Sequence, residues 1–170
     1  ILNRIKPQLN MIKFQKLEKS DPYQVFKSFY SNALKMKQNN IEALCLSSFS
    51  KQTNEVSSRY VNLKYIINNR WIFFSNYNSN KSIDFKAHKQ VSGVLYWNSV
   101  NIQIRIKGLI KKTSVNFSNE HFKKRSLEKN ILAISSDQSQ SISSYDDVVR
   151  KYKNTLKKNT SDLTRPHYWG

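Results

Sequence analysis

The sequence predicts an α+β fold, mainly β: a meandering antiparallel sheet with flanking helices in one compact unit. Three observations carry that expectation. Apolar and polar residues alternate at strand period through much of 43–112. Before that stretch the apolar spacing is helical, as in Val25, Phe26, Phe29, Ala33 and Leu34, and helical runs return after it. Between the strand-like runs stand asparagine pairs and other polar turn residues, with no internal repeat and no linker.

Residues 1–20 are polar and basic and read as an N-terminal extension, with Met11 as a natural start and 21–170 as the domain. Asp21-Pro22 opens a helix, with the aspartate as N-cap and the proline where its missing N–H costs nothing. That helix should run to about Lys37 and break at Asn39-Asn40. A strand follows from Ala43 to Phe49, then the polar turn Lys51-Gln52-Thr53-Asn54. A second strand from Ser58 to Ile67 returns through Asn68-Asn69, a pair that tolerates left-handed backbone angles, into a strand from Trp71 to Ser75. Ser79 caps a short helix holding Ile83 and Phe85. Runs from Val91 to Trp97 and from Val100 to Lys112 form a hairpin around Asn98-Ser99, with Gly108 as a bulge position. Residues 119–134 and 145–156 are expected to be helical.

Composition narrows the class. Nine Phe, nine Tyr and three Trp supply core material that disordered chains lack. The single cysteine, Cys45, cannot form an internal disulfide and reads as a small buried core residue. No apolar run is long enough for a membrane span, and Ile1-Leu2-Asn3-Arg4-Ile5-Lys6 lacks a secretory segment, so a cytoplasmic protein with no membrane partner is expected. The formal charge of +18 is spread along the chain, and its lysines accompany abundant Asn and Ile, all encoded by A/T-rich codons. Compositional bias is one reading and a phosphate-rich ligand is the other. Scattered basicity argues against a nucleic-acid partner, which calls for a massed patch.

Most standard chemistry is absent. There is no glycine-rich phosphate loop and no Gly-x-Ser-x-Gly elbow, and His88, His121 and His167 lack metal-ligand spacing. Asp146-Asp147 lies at a helix start, where the dipole accounts for it. What remains is a set of basic and polar residues at strand ends. Arg59 and Lys64 share one strand; Ser75, Asn76, Ser79 and Lys81 follow the next; Gln103 and Arg105 share a face of a later one. The stretch from Ser75 to Lys81 leads into a helix, where amides, hydroxyls and an ammonium can converge on a phosphate. A solvated basic face is the alternative reading of the same residues.

The order of these segments resembles the pyridoxine/pyridoxamine 5′-phosphate oxidase family. Asp21-Pro22-Tyr23-Gln24-Val25-Phe26 is similar to the family's Asp-Pro-x-x-x-Phe helix opening, and Arg59-Tyr60-Val61-Asn62-Leu63-Lys64 to its Arg-x-Val-Leu-Leu-Lys strand. Phe73-Phe74-Ser75-Asn76-Tyr77-Asn78-Ser79-Asn80-Lys81 resembles its Phe-Tyr-Thr-Asn-x-x-Ser-Arg-Lys segment. Tyr96-Trp97, Gln103 to Gly108, Phe122 with Arg125, Gln138-Ser139 and Arg165-Pro166-His167-Tyr168-Trp169-Gly170 follow in the family's order. Each piece is weak alone, and the ordered succession over roughly 21–170 is what makes the likeness specific.

The resemblance implies a split β-barrel of the FMN-binding type, assembled as a homodimer with flavin mononucleotide (FMN) between subunits. It assigns Arg59, Tyr60, Val61, Asn62, Leu63, Lys64, Phe74, Ser75, Asn80 and Lys81 to the cofactor, with Arg59, Ser75 and Lys81 on its phosphate. Gln103 would touch the flavin ring, and Gln138, Ser139 and Trp169 would complete the cleft. Lys64, His121, Arg125 and Lys129 would bind the substrate phosphate; His121 and Lys129 stand where the family carries Tyr and Ser. The implied reaction removes a hydride from C4′ of a phosphorylated B6 vitamer, with oxygen as acceptor and pyridoxal 5′-phosphate as product. No catalytic side chain or metal is implied, because the flavin carries the chemistry. The departures are Asn80 in place of a family Arg, and Asn54-Glu55-Val56 in place of a Gly-x-Pro turn. The family also continues past its Trp-Gly with an Arg-x-His motif, whereas the sequence begins at Ile1 and ends at Gly170, which reads as a trimmed chain. The alternatives are an inactive FMN- or pyridoxal-phosphate-binding relative and a related flavin oxidase acting on another substrate, such as a phenazine precursor.

Overall fold

A computed structural model describes residues 11–136, 140–157 and 163–170. They gather into two compact units, the first from the described part of 1–49 with 54–74 and 90–109, the second from 50–53, 75–89 and the described part of 110–170.

The first unit carries a six-stranded, mostly antiparallel sheet: β1 (Lys13–Gln15), β2 (Ala43–Ser50), β3 (Glu55–Ile67), β4 (Arg70–Phe73), β5 (Gln90–Trp97) and β6 (Ile102–Leu109). The strand order is β1-β3-β2-β5-β6, with β4 also paired to β3. Period-two alternation is plain in β2, where Leu44, Leu46 and Ser48 are buried while the residues between them are half-buried. Val61, Leu63, Tyr65 and Ile66 of β3 and Leu95 and Trp97 of β5 extend that core. The helix α1 (Asp21–Lys35) buries Phe26, Tyr30 and Ala33, four and three residues apart on one face. The Phe26 ring centroid lies 4.7 Å from that of Trp71 and 5.5 Å from that of Trp97. Trp97 Nε1 donates to the Ile41 carbonyl at 3.0 Å, so the buried indole is satisfied. Each large apolar side chain buried here contributes on the order of 1.5–3 kcal/mol.

The second unit is helical: α2 (Asn80–Ala87), α3 (Val115–Lys123), α4 (Leu127–Ser135) and α5 (Tyr145–Lys157), with the segment 163–170. Phe122, Ile131, Ala133 and Trp169 are its buried apolar residues, and Asn130 Nδ2 donates to the Phe122 carbonyl at 2.9 Å, tying α4 to α3. Among the described residues no helix is long and apolar enough to cross a membrane, and no cluster of His, Cys, Asp or Glu has metal-binding form.

Several expectations need correction. Helices occupy as much of the described chain as strands, so α+β describes the fold better than mainly β. The stretch read as an extension supplies β1, whose Lys13, Phe14 and Gln15 pair in parallel with Tyr65, Ile66 and Ile67. The N-cap of α1 is Ser20, and Asp21 sits inside the first turn, where its charge still complements the helix dipole. The expected helix over 119–134 is two helices, because Ser126 takes extended backbone angles as the N-cap of α4. The first of them starts earlier, at Val115, with Ser114 as its N-cap, whose Oγ accepts from the Phe117 N–H at 3.2 Å. Gly108 is not a bulge: β5 and β6 pair without a break from Gln90↔Leu109 to Trp97↔Ile102. Their hairpin turns through a short 3-10 segment, and the left-handed residue is Asn101 (φ 52°) rather than Asn98 or Ser99. Asn68 does take the left-handed angle expected of it (φ 53°). Cys45 is half-buried on the sheet face opposite Leu44 and Leu46 rather than in the core.

Candidate active site

In the second unit, the candidate phosphate loop is a closed hydrogen-bonded turn. Asn76 Oδ1 accepts from the Asn78 N–H at 2.7 Å, and its carbonyl accepts from Ser79 Oγ at 2.7 Å and Ser82 Oγ at 3.0 Å. Ser79, the N-cap of α2, thereby turns its hydroxyl back into the loop and makes no side-chain bond to the helix amides. Lys81 Nζ donates to Ser79 Oγ at 3.0 Å, which holds the ammonium beside that uncapped N-terminus. An uncapped helix start with an adjoining cation attracts a phosphate through both its N–H groups and its dipole. Ser75 is half-buried, whereas the Asn80 side chain is exposed on the first turn of α2.

Residues 168–170 are hydrogen-bonded onto this loop. Ser75 and Gly170 exchange backbone hydrogen bonds of 2.9 and 3.1 Å, the Tyr77 N–H donates to the Tyr168 carbonyl at 2.6 Å, and Asn76 bridges Trp169 in antiparallel fashion. Trp169, buried, then stands among three side chains of the α3 region. His121 lies parallel to it (centroids 6.1 Å apart, 8° between planes), Phe122 meets it edge-on at 5.4 Å, and the Arg125 guanidinium carbon sits 4.4 Å from its ring centroid.

Arg125 is half-buried beside this indole. Its Nη2 donates to the Lys129 carbonyl at 3.0 Å, but its buried Nη1 has no hydrogen-bond partner there. Partial burial lowers its pKa to about 10, so the side chain remains a cation at neutral pH. A half-buried guanidinium with an open donor is suited to a phosphate or carboxylate. Of the four residues expected at a substrate phosphate, the structure brings His121 and Arg125 to one indole, and Lys129 contributes its carbonyl to Arg125 while its side chain is exposed.

In the first unit, Arg59 is half-buried on β3, and its Nη1 donates to Ser48 Oγ at 2.7 Å and to the Leu46 carbonyl at 3.4 Å. Val61 and Leu63 are core residues on the same strand, while Tyr60 and Asn62 face outward and are exposed. Lys64 marks the true bulge of the sheet. Leu63 pairs with Phe73 and Tyr65 with Ile72, so Lys64 is the extra residue between them, and bulges commonly re-aim a side chain. Phe74 meets the Tyr65 ring edge-on at 6.2 Å, and Gln103 is exposed on β6 opposite Tyr96. Gln138 and Ser139 lie outside the described residues.

Two contributors went unassigned from sequence. Ser82 completes the loop around the Asn76 carbonyl, and Ser79-x-x-Ser82 is one helical turn, a spacing that could have pointed to it. Arg165 was visible only as the first residue of the terminal motif; its role depends on contacts distant in sequence.

No family model matches the chain. It is 33% identical over 155 residues to a pyridoxine/pyridoxamine 5′-phosphate oxidase of Pelagibacter ubique, covering 90% of this chain and 74% of that one. It is 30% identical over 151 residues to the enzyme of the same description from Coxiella burnetii, covering 89% and 76%. Among solved structures, it superposes on PhzG from Burkholderia lata, crystallised with tetrahydrophenazine-1-carboxylic acid, with a TM-score of 0.80 at 22% identity, covering 88% of this chain and 73% of that one. A pyridoxamine 5′-phosphate oxidase-related, FMN-binding protein of Nostoc punctiforme gives 0.64 at 12% identity over 85% and 77%. These two likenesses concern the fold.

Proposed function

The chain belongs to the pyridoxine/pyridoxamine 5′-phosphate oxidase family, and we propose that it is an FMN-dependent oxidase of a phosphorylated B6 vitamer. The observation that carries the substrate class is Arg125, a half-buried cation on Trp169 whose buried Nη1 is an open donor, which a phosphate dianion would satisfy. The uncapped start of α2, with Lys81 and Ser79, fits the phosphate of FMN. When bound, FMN supplies the redox chemistry, accepting a hydride from the substrate's C4′ carbon and passing its electrons to oxygen.

The chain's own residues bind and orient. Lys81, Ser75 and Arg59 are assigned to the cofactor phosphate, Gln103 to the flavin ring, and Lys64, His121, Arg125 and Lys129 to the substrate phosphate. Holding the remote phosphate fixes the vitamer ring, so its binding energy is used to align the reacting carbon. A cytoplasmic location belongs to the same reading.

The test is spectroscopic. Purified protein, or protein given FMN, should show bound oxidised flavin, and anaerobic pyridoxamine 5′-phosphate should bleach it. Protein that takes up no FMN sinks the reading. Flavin that binds but is reduced by no B6 vitamer indicates an inactive relative, and reduction by a non-phosphorylated aromatic substrate alone indicates a different flavin oxidase.

A homodimer is part of the proposal. Tyr60 on β3 and Tyr96 on β5 are 75% and 58% exposed, large aromatic surfaces that an isolated chain leaves in water. Light scattering at micromolar concentration should give twice the chain mass, with two equivalent flavin sites. A monomer with flavin bound would contradict this.

A further inference from the structure

We propose that Arg165 is a positioning residue, which fixes the Trp169 indole so that Arg125 is held ready for the substrate phosphate; the role in substrate binding rests on the reading above. Residues 166–169 form a tight turn closed by the Trp169 N–H donating to the Pro166 carbonyl at 3.0 Å. The Arg165 guanidinium spans that turn. Its Nη1 donates to the carbonyls of both Pro166 and Trp169, the two ends of the turn. Its Nε donates to Asn119 Oδ1 at 2.7 Å, and Asn119 lies on α3, the helix that carries His121 and Phe122.

One planar cation therefore locks the backbone of Trp169 to the helix whose side chains surround its ring. The fork geometry matters. A guanidinium offers donors in several fixed directions, whereas an ammonium on a flexible stem cannot hold three acceptors in this arrangement. Trp169 in turn supplies the surface over which the Arg125 guanidinium lies, and α3 ends just before Arg125. If the indole moves, the face that holds the Arg125 guanidinium, with its open Nη1, moves with it. Nothing in this chain of contacts requires Arg165 to touch the substrate.

The experiment uses the full chain purified with its flavin, as Arg165→Met, Arg165→Lys, Trp169→Phe and the parent protein. Near-ultraviolet circular dichroism reports an immobilised indole, and the difference between parent and Trp169→Phe isolates the Trp169 band from those of Trp71 and Trp97. Arg165→Met should lose most of that band with far-ultraviolet helicity unchanged. Its KM for pyridoxamine 5′-phosphate should rise about tenfold, the scale of a lost hydrogen bond, with kcat changing much less. Arg165→Lys should move both quantities in the same direction and fail to restore the parent values; it also decides the matter if Arg165→Met does not fold. A folded variant with the parent's Trp169 band and KM would overturn the proposal. If the parent protein itself oxidises no vitamer, the functional reading fails separately. The Trp169 band and the affinity for inorganic phosphate, read by tryptophan fluorescence, then still test the clamp, and unchanged values in the variants would overturn it.

Discussion

Replacing Lys81 by alanine should weaken FMN binding by about 10- to 150-fold, with the folded protein otherwise intact. The magnitude follows from one charge-assisted contact to phosphate, about 1.5–3 kcal/mol, at 1.36 kcal/mol per factor of ten. The geometry says why this lysine is singled out in a chain so rich in lysines. Its ammonium is fixed 3.0 Å from Ser79 Oγ, beside the start of a helix whose N-cap side chain makes no bond to the helix amides. Lys86, in the last turn of the same helix, is exposed and near the wrong end of the dipole for an anion. Lys86→Ala is therefore the matched control and should leave FMN affinity unchanged. Fluorescence quenching on titrating FMN into apo-protein measures both. Equal affinities for Lys81→Ala and the parent chain would mean that the cofactor phosphate lies elsewhere.

The legible and illegible parts of this fold divide along physical lines. Period-two alternation in β2 and the 3.6-residue spacing in α1 are local consequences of one-sided burial, so the sequence carried them. Even there the detail depended on packing: Tyr30 rather than Phe29 joins Phe26 as a buried aromatic of α1, and its hydroxyl accepts from the Ile12 N–H at 2.8 Å. Asn68 was legible as a left-handed turn residue for reasons of backbone sterics alone. The parallel pairing of β1 was not, since a three-residue strand has too few positions to show a period. Nor was the bulge at Lys64, which appears only when β3 is registered against β4. The site divides in the same way. A serine- and lysine-bearing loop ahead of a helix suggested an anion site from local chemistry. The Arg125–Trp169 pairing joins residues 44 positions apart, and the clamp from Arg165 to Asn119 spans 46. Those contacts are set by tertiary packing, and only the family resemblance pointed to Arg125 and Trp169 in advance.

Arg125→Met should separate recognition from stability. Methionine keeps a flexible apolar side chain that can pack on the same rings while removing the guanidinium that lies 4.4 Å from the Trp169 centroid and 5.7 Å from that of Phe122. The lowered pKa of Arg125, to about 10, comes from burial, which means that the folded state disfavours its charge. The sign follows for a cation with a depressed pKa: folding carries this cost at neutral pH, and the cost is relieved only as pH rises through about 10. Removing the charge should therefore leave the ligand-free melting temperature unchanged or raised. Recognition should move the other way. The specificity constant for pyridoxamine 5′-phosphate should fall about 10- to 150-fold, the loss of one charged hydrogen bond of about 1.5–3 kcal/mol. Unphosphorylated pyridoxamine should reduce the flavin slowly in both proteins and at nearly the same rate, because it never engaged the guanidinium. The preference for the phosphorylated vitamer should thus collapse in the variant, while the parent retains it from neutral pH until Arg125 titrates near 10. Anaerobic stopped-flow flavin reduction and a thermal melt of the apo-protein give both readouts. A large drop in melting temperature with the phosphate preference intact would make Arg125 a structural residue and remove the substrate phosphate from this site.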